Sequence, residues 1–407
     1  MNCRLCNSQN MYPFLNLGLH PPSDQFRTNE QLNNPVIYYP LEVNICEDCG
    51  FVQLGYVVPP EILYQDNYPY ESSTTEMGRK HYSEFAQSVV ENFTLGASDL
   101  AVDIGSNVGV LLEGFKNQGL RVQGIDPAEN ICKIAERRGI PTINAFFNES
   151  SARQVFASLG PASVITGTNV FAHVDDLNSF MRAVKILLHE KRGLFIIEAP
   201  HFQHLVESLE YDTIYHEHLS YVSIEPLIPF FRRFGMEIIS IEEKDIHGGS
   251  IRIFVSRIGN YPIRDSVAKA LEVEKMAVLR DKKTLHAFAL RVADNKQKLQ
   301  LLLANLKASG KRIAAVSAPA KGMTLLNYCK IDRQVIDFVT EKSALKIGLY
   351  TPGGLIPVYG DEKLLEDAPD YALLLAWNFA AEIINNNKEF ISRGGKFIIP
   401  IPDPRII

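Results

Sequence analysis

The chain has 407 residues, 46% hydrophobic and 22% charged, with a formal net charge of −6. That length exceeds one core and predicts two or three domains, and the negative balance argues against a nucleic-acid partner, which selects for a basic stripe. The first ten residues are polar with two cysteines where a secretory leader would be apolar, and no apolar run reaches the roughly 20 residues that cross a bilayer, so the expectation is a cytoplasmic monomer acting on a small molecule, away from membranes.

Residues 1–85 are rich in Pro, Asn and Tyr, show little helical period, and read as a loop-rich module with short strands. Cys3/Cys6 and Cys46/Cys49 form two C-x-x-C knuckles in it. A reducing compartment disfavours disulfides. Four thiolates close a tetrahedral Zn2+ with no open position, and a small module with little core needs such a staple. The predicted metal is a structural Zn2+. Cys132 and Cys329 stand alone among apolar residues and read as small core side chains. Tyr68 and Tyr70 of NYPYESS follow the second knuckle; each alone reads more often as a structural tyrosine than as a site residue.

Over residues 86–262 the pattern turns to strand, turn and helix: LAVDIG, GVLLEGFKNQG, RVQGID, AENICKIAERRG, ASVITGTN, LNSFMRAVKILLHEKRG and LFIIEAP. Such alternation predicts βαβ units around a parallel sheet. The first turn, VDIGSNVG, holds Asp103, Gly105, Asn107 and Gly109. Its glycines let the backbone approach a ligand, and helix N–H groups there meet a carboxylate. Asp126 ends the second strand, where an acid accepts ribose hydroxyls or simply caps the next helix. Asn107 stands where a dinucleotide loop keeps its middle glycine. Together with the NAFFNES segment, this favours S-adenosylmethionine as cofactor, with Phe146 and Phe147 either flanking its adenine or packing in the core. Asn169 and His173 of TNVFAHVDD lie at the end of the strand ASVITGTN, where such sheets bind ligands.

The densest chemistry is YDTIYHEHLSYVS, with Tyr215, His216, Glu217 and His218 together. Histidines two apart suit a strand or loop better than the i,i+4 helical spacing of zinc proteases. A bland reading is a solvated loop with one core histidine. A sharper one is acid–base work: histidine as base, a carboxylate orienting, a tyrosine donating to an oxyanion. IHGGSIR adds His247 and a Gly248-Gly249 turn. A helical period then covers residues 263–309, and residues 310–407 repeat the α/β pattern as a smaller Rossmann-like domain. Lys321 there reads as a diphosphate ligand or a solvated loop lysine.

The order of these pieces resembles the nucleotide-sugar C-methyltransferases, which make branched deoxysugars. The resemblance covers essentially the whole chain: the paired knuckles, YPYESS, VDIGSNVG, TNVFAHV, YHEH, HGGSIR, APAKGMTLLNYC, PGGLIPV and AWNF. It implies a zinc module, a class I methyltransferase domain and a C-terminal Rossmann-like domain. It implies methylation at C3 of a dTDP- or GDP-linked 4-keto-6-deoxyhexose, with His218 as general base and Glu217, Tyr215, His173 and Tyr70 or Tyr68 beside it. C5 methylation, O-methylation and a non-catalytic nucleotide-sugar binder are the rival readings. The expected substrate contacts are His247, Gly249, Ser317, Lys321 and Asn327. Ser317 stands where relatives often carry glycine, and Val108 where many carry aspartate.

Overall fold

The computed structural model describes residues 1–64, 69, 71–72, 76–245 and 249–407. Tyr68, Tyr70 and His247 lie outside the described residues. Among the described residues, no helix is long and apolar enough to cross a membrane.

The N-terminal sheet is antiparallel: β1 (Met11–His20), β2 (Tyr39–Cys46) and β3 (Val52–Leu54). Its fourth strand, Ser220–Tyr221, comes from far along the chain and pairs with β3. Leu15, Leu17, Leu41, Val43 and Ile45 point to one buried face, as period-2 alternation requires.

The central sheet contains β4 (Leu100–Ile104), β5 (Arg121–Asp126), β6 (Thr142–Asn144), β7 (Val164–Thr168) and β8 (Leu194–Pro200), all parallel. With Ser220–Tyr221 counted as β9, the sheet ends in β10 (Met236–Lys244) and β11 (Ser250–Arg257), which run antiparallel. The order is β10-β11-β8-β7-β4-β5-β6. Every residue of β4 is buried, as expected of a strand covered on both faces. Strand order reverses between β4 and β7, which opens a crevice beyond their carboxyl ends.

The expected helical stretch over 263–309 is two helices, Asp265–Ala277 and Lys282–Ala308. Val278 between them is left-handed at φ 51°, and Asp281 caps the second helix by accepting from Thr284 N at 3.0 Å. No Gly or Pro marks that break in the sequence. Leu285, Phe288, Val292, Leu299 and Leu303 form the buried stripe of the long helix and join the cores of the first and third sheets.

The third sheet contains β12 (Ile313–Val316), β13 (Val339–Thr340), β14 (Val358–Tyr359), β15 (Tyr371–Leu374), β16 (Lys396–Ile399) and the antiparallel β17 (Arg405–Ile406). Its order, β14-β13-β12-β15-β16-β17, reverses between β12 and β15. The fold is thus α/β with two Rossmann-like sheets behind a cysteine-bearing N-terminal module.

Candidate active site

The carboxyl ends of β4, β7 and β12 open onto one cavity of about 870 Å³. On the β4 side the chain turns through left-handed residues: Gly105 at φ 62°, Asn107 at 49° and Gly109 at 80°. A Cβ on Gly105 would stand 2.5 Å from Val170 Cγ2, so only glycine fits. Asp126 shapes this loop, accepting from Asn107 N and Ala128 N, both at 2.9 Å. Asn107 Oδ1 accepts from Ser72 N at 3.0 Å, which brings residues before the central sheet over the loop. Asp103 is buried and accepts Thr166 Oγ1 at 2.6 Å. Burial pushes its carboxyl up to about 7, against the Thr166 bond. Phe146, Phe147 and Asn169 line the same half of the cavity. Phe147 also packs edge-on to Phe180 at 5.3 Å, so it belongs to both wall and core.

The middle of the cavity holds the histidines. Tyr211–Thr213 is a buried turn of 3-10 helix, and the chain beyond it brings His218 back under it. His218 Nδ1 lies 2.7 Å from the Thr213 carbonyl. A carbonyl only accepts, so Nδ1 carries the proton and Nε2 keeps the lone pair. Nε2 in turn lies 2.7 Å from Tyr215 Oη, which donates to it. The His173 ring is 5.1 Å from that of His218 and stacks on Tyr64 at 6.0 Å and 12°. Burial, then the neighbouring His218, holds His173 well below the ordinary histidine range. Its Nε2 is covered and finds no hydrogen-bond partner among the described residues. Glu217 is buried and lines the cavity. Burial and then the charges of Glu217 and Asp24 keep the Tyr64 phenol protonated.

His216 points the other way. Its ring packs edge-on to Tyr39, and Nε2 donates to Pro40 O at 3.3 Å, so it is a core histidine holding the N-terminal sheet. The H-x-H pair therefore does not converge on one ion.

The third sheet supplies the far wall. Ser317 is left-handed at φ 69°, a conformation easier for the glycine expected there. Ser317 and Lys321 line the cavity. Lys321 is neither a solvated loop lysine nor free for a ligand alone. Its ammonium lies 3.7 Å from the buried Asp212 carboxylate and 4.2 Å from the Trp377 ring centroid. Trp377 Nε1 donates to the same Asp212 oxygen at 2.7 Å. Thr324 Oγ1 donates to Ile214 O at 3.0 Å. The third sheet's helix thus grips both sides of Thr213. Asn327 and Gly249 stand outside the cavity lining. Asn327 Nδ2 donates to Met323 O and Pro352 O, and a Cβ on Gly249 would meet His204 at 2.7 Å.

Tyr64, Thr213, Asp212 and Trp377 were not singled out as site residues in the sequence, although Trp377 falls in the AWNF motif. None has a motif spacing of its own; the fold gathers them.

The knuckles meet as expected. All four thiol sulfurs, Cys3, Cys6, Cys46 and Cys49, lie within 4.8 Å of one another. Cys3–Cys49 and Cys6–Cys46 are each 3.5 Å apart, close to the roughly 3.8 Å edge of a tetrahedron with Zn–S bonds near 2.3 Å. The four residues fit a structural Zn2+.

The β4 loop, the reversed strand order and the cysteine cluster together define an S-adenosylmethionine-dependent methyltransferase with a zinc-binding N-terminal module. Family models agree along the chain. One described as "Putative zinc binding domain" matches residues 3–64, a methyltransferase domain matches 78–241, and a C-methyltransferase C-terminal domain matches 245–402. The C-methyltransferase NovU of Streptomyces niveus is 35% identical over 406 residues, spanning 100% of this chain and 96% of its own. Among solved structures, an S-adenosylmethionine-dependent methyltransferase of Clostridium acetobutylicum is 16% identical, covering 44% of this chain and 92% of its own at a TM-score of 0.35. Magnesium protoporphyrin IX methyltransferase of Synechocystis, solved with SAH, is 14% identical over 44% of this chain and 82% of its own, also at 0.35. The chain belongs to the C-methyltransferase family.

Proposed function

We propose that this enzyme methylates C3 of a nucleoside-diphosphate 4-keto-6-deoxyhexose, dTDP- or GDP-linked, through an enolate formed by His218. The relative NovU is a C-methyltransferase, and a carbon nucleophile must be generated by removing a proton. The observation that carries the reading is the His218 geometry: Nδ1–H fixed on the Thr213 carbonyl and a basic Nε2 in the cavity, 2.7 Å from a phenol.

In this reading the C4 ketone acidifies the C3–H bond. The sugar carbonyl draws the Tyr215 hydroxyl away from Nε2, and Nε2 takes the C3 proton. The C–H electron pair passes onto O4, where the Tyr215 hydroxyl and a proton on His173 Nε2, which has no hydrogen-bond partner among the described residues, stabilise the enolate. Glu217 and Tyr64 close the wall around the ring. Gly105, Asn107, Asp126 and Asn169 would hold S-adenosylmethionine, which would supply an electrophilic methyl to the C3 carbon. His218 returns its proton to solvent after release.

Residues 1–85 in this reading carry the zinc, 86–262 the cofactor, 263–309 the connection and 310–407 the nucleotide wall, with Ser317 and Lys321 nearest the diphosphate. Such a substrate places the enzyme in the cytoplasm. The test is to incubate the protein with S-adenosylmethionine and each 4-keto-6-deoxyhexose donor and identify the product by mass spectrometry and NMR. A methyl on a quaternary C3 supports the reading. A methyl on oxygen, or no product with either donor, sinks it.

A further inference from the structure

The first knuckle carries a residue the metal does not use. Arg4 lies between Cys3 and Cys6, and its side chain is only 6% exposed. Its Nη1 donates to Leu54 O at 3.1 Å and Leu219 O at 3.2 Å, and its Nε to Asp175 Oδ1 at 2.9 Å. Its backbone N–H donates to Gln53 Oε1 at 2.8 Å, and Gln53 Nε2 donates back to Asn2 O at 3.0 Å. The knuckle backbone is therefore tied to β3 on both sides of Cys3.

These acceptors have telling neighbours. Leu219 directly follows His218, and Asp175 comes two residues after His173. β3 reinforces the first link: Leu54 N donates to Leu219 O at 2.9 Å, and Gln53 pairs with Ser220. One guanidinium thus touches both segments whose imidazoles stand 5.1 Å apart. A guanidinium is a rigid planar fork, so it fixes directions as well as distances; an ammonium in its place could not hold all three acceptors.

We infer that Arg4 is a positioning residue for methyl transfer: the cysteine knuckle fixes the guanidinium, and the guanidinium sets the spacing of His173 and His218. This rests on reading His218 as the base. A zinc module that only stapled the fold would need no buried cation reaching to both histidine segments. The cation is buried, so its acceptors are also what keep it from being an unpaired charge.

The test uses full-length, zinc-loaded protein carrying Arg4→Lys, Arg4→Ala or Asp175→Asn, with His218→Gln measured alongside. Zinc content and S-adenosylmethionine affinity are expected to hold. The kcat of Arg4→Lys is expected to fall by about tenfold to a hundredfold with KM little changed, the usual range for groups that orient reacting residues. Guanidinium ion is expected to restore part of the Arg4→Ala turnover, and 15N spectra of the imidazoles, which need no substrate, to show shifted His173 and His218 signals. Should Arg4→Ala fail to fold, Arg4→Lys and the exposed-arm variant Asp175→Asn carry the test. Wild-type kcat and unshifted imidazole signals in those two variants would overturn the inference. Full turnover by His218→Gln would instead sink the base assignment; an inactive His218→Gln beside fully active Arg4 variants would sink the Arg4 role alone.

Discussion

Tyr215 Oη lies 2.7 Å from His218 Nε2, with the two rings tilted by 33° and their centroids 4.0 Å apart. In the proposed mechanism the phenol covers that nitrogen until the sugar carbonyl draws its hydrogen bond away. Tyr215→Phe keeps the ring and removes the donor. We expect kcat to fall by roughly a hundredfold to a thousandfold, as when one oxyanion donor is lost, with cofactor affinity by calorimetry unchanged. Undiminished kcat would mean that Tyr215 has no part in the chemistry.

Lys321 and Asp212 make a second testable pair. Asp212 is fully buried, and burial raises its pKa against the pull of Lys321 and the Trp377 N–H. Lys321→Met leaves that carboxylate without its cation, at an expected loss of about 3 kcal/mol or more in urea unfolding near neutral pH. The double variant Lys321→Met/Asp212→Asn should recover most of the loss. Failure to recover would show that Lys321 acts through its packing on Trp377 instead.

Asp103 predicts a pH effect of definite sign. Its folded carboxyl sits at about 7 against an ordinary 3.8, because burial disfavours the charge. The folded state thus binds more protons than the unfolded state between those values. Stability from this group is present below about pH 4 and is lost as pH rises toward 7, at up to about 1.4 kcal/mol per pH unit. Asp103→Asn has no such loss. Ligand-free Asp103→Asn should therefore gain on the wild type between about pH 4 and about pH 7 in parallel urea titrations. A constant difference would contradict the upward shift of the Asp103 carboxyl.

Gly105 allows no side chain. At φ 62° and with Val170 2.5 Å from any Cβ, Gly105→Ala must move the loop that we propose holds the cofactor. We expect at least about tenfold weaker S-adenosylmethionine binding, equal to about 1.4 kcal/mol, read by calorimetry. Unchanged affinity would separate this loop from the cofactor.

Metal analysis of purified protein should return one zinc per chain, as one four-cysteine cluster holds one ion. Cys46→Ser, which removes a buried ligand, should lose the metal and lower the unfolding midpoint. Full zinc in that variant would place the ion elsewhere.

The features legible in the sequence were local ones. Cysteine spacing marked the knuckles, alternation marked both Rossmann-like sheets, and a glycine-rich turn marked the β4 loop. What escaped depends on distant partners. Nothing in Ser220–Tyr221 announces that it completes the sheet of β3, or that this pairing anchors the residue after His218. Arg4 and Asp175 meet across 171 positions, and Lys321 meets Asp212 from another sheet; charge pairs of that kind have no period to read. Spacing alone does not separate His216 from His218, yet one turns to Pro40 and the other to Thr213. The helix break at Val278 uses a left-handed valine, a residue that rarely marks one.

The central claim is that His218 removes the C3 proton of a 4-keto sugar, and proton exchange tests it without methyl transfer. The enzyme would be incubated in D2O with S-adenosylhomocysteine, which has no methyl to give, and the 4-keto-6-deoxyhexose donor, while the sugar protons are followed by NMR. The wild type should wash out the C3 proton, and His218→Ala should not. Retention of the C3 proton by a wild-type enzyme that still methylates its substrate would contradict it.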